Sequence, residues 1–383
     1  MGMKVEVAVH GRFHAFALAK GLYGEGFLGT LHTTYPSFAV RRITGTGLTL
    51  NCAPHLEVIR RLAQRSTGHD VTDFILPRFG RFVAQNLGQS GADLLVGWSS
   101  ATVEAIPVAR EKGMAIIVDR GASHILHQNN ILAAAYQQLD LKFPGISQRL
   151  IERETTEYLA ADKIMVPSKV AEKSFIHQGI PSGKLAVVPL GVDVDRFQPV
   201  DRSSRFRKPR ILFVGSIGIQ KGLPRLLQAF SQLRREAELH LVGPVESEFS
   251  SALRGLPTDG VTFHGPIAKE KVSDFYKNAD IFCLPSIHEG FGMVVLEAMA
   301  SGLPVVVSDQ VGAADVIHNG ESGYVFPVAS EEVLTEIFAE LIFNSKLRKI
   351  IGQAARQVAE SRENTWEGYI DRVVPVLSRV SQC

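Results

Sequence analysis

Residues 281–297 read Ile281-Phe-Cys-Leu284-Pro-Ser-Ile-His288-Glu289-Gly290-Phe291-Gly292-Met293-Val294-Val-Leu-Glu297. An apolar run of strand length, Ile281–Leu284, meets a turn with two glycines, and a helical pattern, Met293–Ser301, follows. Strand, glycine turn and helix in that order form the repeating unit of a parallel α/β sheet. The glycines let backbone approach a ligand closely. The N–H groups at the helix start form an anion site, helped by the helix dipole. Glu289 on the loop is suited to accept hydrogen bonds from hydroxyls. Glu297, about one turn into the helix, is placed to hold a vicinal diol bidentately. The alternative is two carboxylates that only complement the helix start.

The same unit recurs on both sides. Downstream of residue 209 the expected strands are Arg210–Val214, Leu239–Val242, Val261–His264, Ile281–Leu284, Pro304–Val307 and Tyr324–Phe326. Helical patterns lie at Leu223–Arg234, Ala268–Asn278 and Glu331–Phe343, and the tail from Ser345 reads as two helices anchored by Trp366 and Tyr369. Upstream, strands are expected at Lys4–Val9, Phe27–Thr33, Asp93–Trp98, Met114–Asp119, Lys163–Val166 and Leu185–Val188. Helices are expected near Pro54–Gln64, Phe74–Leu87, Thr102–Lys112, Ile125–Gln138 and Ser147–Ala160, with another after Pro167-Ser168. Between the two series run Pro189-Leu-Gly-Val-Asp193, Phe197-Gln-Pro199 and the polar stretch Asp201–Arg210, which read as a linker. The expectation is α/β throughout: two doubly wound, parallel-sheet, Rossmann-like domains facing across a cleft, where a ligand would bind. The boundaries fall at residues 1–195 for the first Rossmann-like domain, 196–362 for the second, and 363–383 for a C-terminal helix packing back towards the first domain.

Size and composition agree. The chain has 383 residues, 45% hydrophobic and 21% charged, the proportions of an ordinary globular protein of two domains. Net charge is +2, which gives no case for nucleic acid. The balance is uneven: residues 1–199 hold 21 Lys+Arg against 17 Asp+Glu, a net of +4, and the remainder holds 20 against 22, a net of −2. Arg41, Arg42, Arg60, Arg61, Arg65, Arg78 and Arg81 supply much of the early excess. They read either as a solvated basic face or as a contact for anionic lipid or a phosphate-bearing acceptor. Three widely spaced cysteines, Cys52, Cys283 and Cys383, form neither a disulfide framework nor a metal motif. The first ten residues read as a strand rather than a leader, and no uncharged run suggests a membrane span. The expected location is cytoplasmic, with peripheral contact at the inner membrane face as the reading that the arginines add.

Two further turns carry the signal of 281–297. Phe213-Val-Gly215-Ser216-Ile-Gly218-Ile-Gln-Lys221-Gly222 follows a strand and opens a helix. Lys221 offers a cation there, suited to a departing diphosphate, unless it is a surface lysine beside a loop. Ser308-Asp-Gln-Val-Gly312-Ala-Ala-Asp315 is a third such turn, with Asp315 read as a helix-start carboxylate. With a hexose at Glu289, a diphosphate on the backbone and a ribose at Glu297, the eight-residue separation spans a nucleotide sugar.

The segment Pro285-Ser-Ile-His-Glu289 through Glu297-Ala-Met-Ala-Ser-Gly302-Leu-Pro304 closely resembles the paired-glutamate motif of the retaining glycosyltransferases of family 4, which have the GT-B fold. Gly320-Glu-Ser-Gly323-Tyr-Val-Phe-Pro327, Lys221-Gly222 and Pro189-Leu-Gly-Val-Asp193 also fit, and the resemblance covers roughly residues 160–345. It implies a hexosyltransferase that transfers from a nucleoside diphosphate sugar to an acceptor hydroxyl with retention. Glu289 would contact the donor sugar and Glu297 the ribose. The N–H groups of Phe291, Gly292 and Met293, beside Gly290 and Val294, would lie over sugar and phosphate. Lys221 would bind the diphosphate, and the turn His264-Gly265-Pro266-Ile267 would hold the base. Ser216 departs from the family, which usually has an arginine there.

The N-terminal half resembles the family less. Its first turn is His10-Gly11-Arg12-Phe13-His14, with one glycine where many members have two, and Arg12 would supply charge instead. His14 reads as packed or solvated rather than catalytic. Asp119-Arg120-Gly121-Ala-Ser123-His124 ends a strand, so Asp119 or His124 would orient or deprotonate the acceptor hydroxyl. The alternative is an Asp119–Arg120 ion pair with Ser123 as a helix cap. Trp98 would stack on an acceptor sugar or simply pack. No cofactor and no metal are expected. The partners expected are a nucleotide-sugar donor and a saccharide, lipid-linked or small-molecule acceptor. The competing readings are a nucleotide-sugar epimerase or phosphorylase on the same fold, and a non-catalytic relative that binds sugar nucleotides.

Overall fold

A computed structural model describes residues 2–45, 47–66, 71–87, 90–201 and 207–382, without the side chains of residues 64–66. Residues 202–206 of the expected linker, Arg65 as a side chain, and Cys383 lie outside what is described.

The chain forms two parallel sheets. The first contains β1 (Val5–Val9), β2 (Leu28–Thr33), β3 (Leu50–Cys52), β4 (Leu94–Trp98), β5 (Ala115–Asp119), β6 (Lys163–Val166) and β7 (Leu185–Val187), in the order β3-β2-β1-β4-β5-β6-β7. The second contains β8 (Arg210–Val214), β9 (Glu238–Val242), β10 (Val261–Gly265), β11 (Ile281–Leu284), β12 (Val305–Ser308) and β13 (Tyr324–Phe326), in the order β10-β9-β8-β11-β12-β13. Each named pairing is parallel, so the helices must cross over the sheet faces. That covering explains why β1, β4, β11 and β12 are buried along their whole length.

The expected doubly wound α/β architecture is therefore observed. It includes helices Ala15–Gly24 and Ser37–Thr44 and the edge strand β3, which the sequence pattern did not resolve. Three residues, one of them Asn51, are too few to show strand alternation, and two adjacent arginines mask the short helix. Strand order reverses between β1 and β4 in one sheet and between β8 and β11 in the other. A crevice opens at each reversal, because the flanking helices leave on opposite faces.

The chain passes between the domains twice, and the two passages touch. Val192 N–H donates to the Asn364 carbonyl at 2.9 Å, and Arg372 reaches the Pro189 carbonyl at 2.8 Å. Helix Trp366–Val380 then lies against helix Ala15–Gly24, with Ile370 filling the space over Gly21. Cys52 and Cys283 are free thiols in different domains. Among the described residues, no helix is long and apolar enough to cross a membrane.

Candidate active site

Both loops at the β8/β11 reversal carry a charged group. Lys221 stands at the end of the loop after β8 and Glu289 on the loop after β11, and the Lys221 ammonium donates to the Glu289 carboxylate. Gly222 makes this approach feasible. It adopts φ 71°, and a Cβ there would lie 1.9 Å from the Pro285 carbonyl oxygen. Glu289 is held from the other side: its N–H donates to the Gln310 carbonyl at 3.1 Å, and its carbonyl accepts from Gly312 N–H at 3.0 Å. Gly290 and Phe291 then lead to Gly292, the residue before helix Met293–Ala300. The first N–H groups of that helix, at Met293 and Val294, have no carbonyl one turn behind them and are open to an anion.

Glu297 lies one turn further along. Tyr276 Oη donates to its Oε2 at 3.0 Å. Burial pushes the Glu297 carboxyl up, while the tyrosine and the cations Lys269 and Arg196 act in the opposite direction. Glu297 and Met293 form one wall of an interdomain cavity of about 510 Å³, with Lys269 and Arg196 beside them. Arg12, His14 and Lys20 form the facing wall. Burial, and after it the nearby Arg12 charge, push the Lys269 ammonium down, so two cations confront one another across the cavity. Four cations against Glu297 and Asp193 leave a net positive lining suited to an anionic ligand.

Ser216 follows Gly215 in the half-buried loop after β8. Gly265 ends β10 with φ 68°, and its carbonyl accepts from Gly243 N–H at 2.9 Å. Ile267 packs against the core behind this turn, two residues before the cavity-lining Lys269. The His264 ring points at His240, Nε2 to Nδ1 at 2.9 Å.

On the N-terminal side, Gly11 and Arg12 occupy the turn after β1, at the reversal next to β4. His14 sits there too, with its Nε2 3.0 Å from Asp119 Oδ1. Its ring lies 4.8 Å from that of Trp98 and 6.0 Å from that of Tyr369. Asp119 is thus not paired with Arg120. Successive residues at a strand end point to opposite faces, and Arg120 turns to Glu154 at 3.0 Å and Gln128 at 2.9 Å. The cap also differs from the expectation. His124, not Ser123, caps helix Ile125–Gln138, with Nδ1 accepting from Leu126 N–H at 3.3 Å. His124 is boxed between Tyr158 and Phe175 and only 2% exposed, so it is packed in the domain rather than presented to the cleft. Burial and the Arg120 charge push its imidazole down to about 4. Of the two acceptor-side candidates, Asp119 alone is paired with a cavity-lining group. His14, which sequence reasoning discounted, is that group. Its place at the carboxyl end of β1 was the available signal. Lys269 and Arg196 were also missed, although Lys269 follows the expected base-binding turn closely.

The two domains meet beside the glutamates. A Cβ on Gly290 would lie 2.2 Å from the Gly121 carbonyl oxygen, so only glycine permits this contact. Ser168 Oγ donates to the Gly290 carbonyl at 2.8 Å. Asp315 stands in the first turn of the short helix Gly312–Val316, as expected, and its carboxylate also accepts from Lys169 N–H of the other domain at 2.7 Å.

Residues 197–358 match the family model described as Glycosyl transferases group 1, so the C-terminal domain is a domain of that group. The chain is similar to the sulfoquinovosyl transferase SQD2 of Arabidopsis thaliana, 34% identical over 217 residues, covering 52% of this chain and 42% of that one. It is also similar to the MMP alpha-(1->4)-mannosyltransferase of Mycolicibacterium hassiacum, 30% identical over 249 residues, covering 62% and 58%. The chain spans about half the length of the curated relatives it matches. Among solved structures, it superposes on Anabaena Alr3699/HepE in complex with UDP-glucose with a TM-score of 0.69. The sequence identity there is 17%, over 99% of this chain and 100% of that one. The fold is therefore GT-B.

Proposed function

We propose that this protein is a glycosyltransferase that moves a hexosyl group from a nucleoside diphosphate sugar to an acceptor hydroxyl with retention of anomeric configuration, in glycan or glycolipid synthesis. The observation that carries the reading is the convergence of Lys221, Glu289 and the start of helix Met293–Ala300 on one crevice, with Glu297 one turn away. That set matches a donor in order: a carboxylate for sugar hydroxyls, a cation and helix dipole for diphosphate, a carboxylate for a ribose diol. Gly215, Ser216 and Gly265 to Ile267 would frame the phosphates and base. The relatives named as sulfoquinovosyl transferase and mannosyltransferase support glycosyl transfer, and the UDP-glucose complex of the Anabaena protein supports a nucleotide-sugar donor.

In this reading the bond from the anomeric carbon to the diphosphate oxygen breaks, and the acceptor oxygen bonds to the same carbon from the leaving-group face. Lys221, Arg12 and the helix start hold the departing charge, which makes a metal ion unnecessary. His14, with Nε2–H donated to Asp119, keeps Nδ1 to accept the hydroxyl proton. Closure through the Gly290–Gly121 contact keeps water from the donor. The test is proton NMR of the product made from an α-linked donor. An α-linked product with release of nucleoside diphosphate is expected; a β-linked product, or transfer without nucleotide release, overturns the reading.

A further inference from the structure

The N-terminal domain carries a rim that the cleft chemistry does not use. Phe38 is 74% exposed, Leu62 60%, Val58 54% and Phe74 43%. Phe38 opens helix Ser37–Thr44, Val58 and Leu62 lie one turn apart on helix Pro54–Ser66, and Phe74 opens helix Thr72–Leu87. These four side chains share one edge of the domain. Helices Ser37–Thr44 and Pro54–Ser66 follow β2 and β3, so both start at the carboxyl edge of the sheet. His10, at the end of β1, feels the charges of Glu57 and Arg60, which fixes that part of the second helix at the same edge. Ser147 Oγ donates to Asp73 Oδ1 at 3.0 Å, and Ser147 caps helix Gln148–Ala160, which runs down to the start of β6. Asp73 and Phe74 therefore also lie at the carboxyl edge, beside the cleft mouth.

Arginines are interleaved with these residues. Arg41, Arg42, Arg61, Arg78 and Arg81 are exposed. The Arg78 guanidinium covers the Phe74 ring at 3.2 Å from its centroid. The Glu57 carboxylate is buried and shared by Arg60 and Arg61, so it leaves a net positive charge there. Scattered exposed apolar residues are ordinary, but large ones gathered on one rim where the arginines outnumber the carboxylates Glu57 and Asp73 are not. Apolar side chains that enter the acyl boundary and arginines that meet lipid phosphates form the pattern of a membrane-surface element.

We propose that this rim docks on an anionic lipid bilayer, which sets the cleft mouth against the surface. Docking requires no nucleotide, so it succeeds or fails independently of the donor reading. The test is co-sedimentation of the full chain with vesicles of phosphatidylcholine alone, and of phosphatidylcholine with about one third phosphatidylglycerol. Binding to the anionic vesicles only, falling steeply as salt rises, is expected. Arg41→Gln with Arg42→Gln should weaken it about 25-fold, at about fivefold per arginine. Phe38→Ser with Leu62→Ser should weaken it about tenfold or more. All four substitutions are at exposed positions, and an unchanged melting temperature separates lost docking from lost folding. Equal binding to both vesicles, no binding to either, or variants that bind like the native chain would overturn the proposal. So would native dimerisation in solution that Phe38→Ser abolishes, which would assign the rim to a second copy.

Discussion

The His14 imidazole stands 3.0 Å from the Asp119 carboxylate, on the wall of the interdomain cavity opposite Glu297. A buried carboxylate behind an imidazole fixes its orientation and tautomer, which is what a group that accepts a proton during reaction needs. His14→Ala and Asp119→Asn should each lower kcat about 100-fold or more while leaving nucleotide affinity within about twofold. The double variant should cost little more than either single one, because the two act as a unit. Steady-state kinetics alongside nucleotide titration checks this; a loss confined to nucleotide affinity would move His14 to donor binding.

The Gly290 backbone supports a second expectation. A methyl group there meets the Gly121 carbonyl oxygen at 2.2 Å, backbone against backbone, with no flexible side chain to yield. Gly290→Ala should keep each domain folded but hold the two apart at this point. Turnover should fall about 100-fold, since small misplacements of reacting groups cost that much. Small-angle scattering should show a larger radius of gyration. An unchanged radius with full activity would mean that this contact does not control closure.

Much of this was legible in the sequence, and the division has a physical basis. The crevice from Ile281 to Glu297 is local: strand, glycines, helix start and carboxylate follow one another, and their spacing alone orders them. Lys221 and Glu289 lie 68 residues apart, but each carries its own strand-turn-helix signature. The acceptor side is different. His14 and Asp119 are 105 residues apart, and only the adjacency of β1, β4 and β5 brings them together. Sequence proximity suggested Arg120 as the partner of Asp119, but neighbours at a strand end diverge. The Ser123 hydroxyl is buried without a hydrogen-bond partner, while the cap falls on His124, one residue later.

Acid should destabilise the protein through its buried neutral imidazoles. His288 is buried, and neither ring nitrogen has a hydrogen-bond partner. Burial, with the charges of Arg120, His127 and Lys221, pushes it down to about 3. The unfolded chain takes up a proton near pH 6.5, and the folded chain does not until far lower. Between those values the unfolded state binds more protons, so stability rises with pH and is lost as pH falls below about 6.5. At pH 5 the loss is about 2 kcal/mol for such a group. Urea unfolding at pH 7.5 and pH 5 should show a drop that His288→Leu reduces by about that amount. An equal drop in both proteins would mean that His288 is protonated in the fold.

The most direct test of the central claim is thermal denaturation of the native chain with common nucleoside diphosphates and their sugars, repeated with Glu297→Ala and Lys221→Ala. One nucleotide should stabilise the native chain selectively, by about 2.7 kcal/mol at a hundredfold excess over its dissociation constant. Both variants should lose most of that shift while keeping their ligand-free melting temperatures within a few degrees. No shift with any nucleotide, or a shift that survives both substitutions, would contradict a donor site built on these two residues.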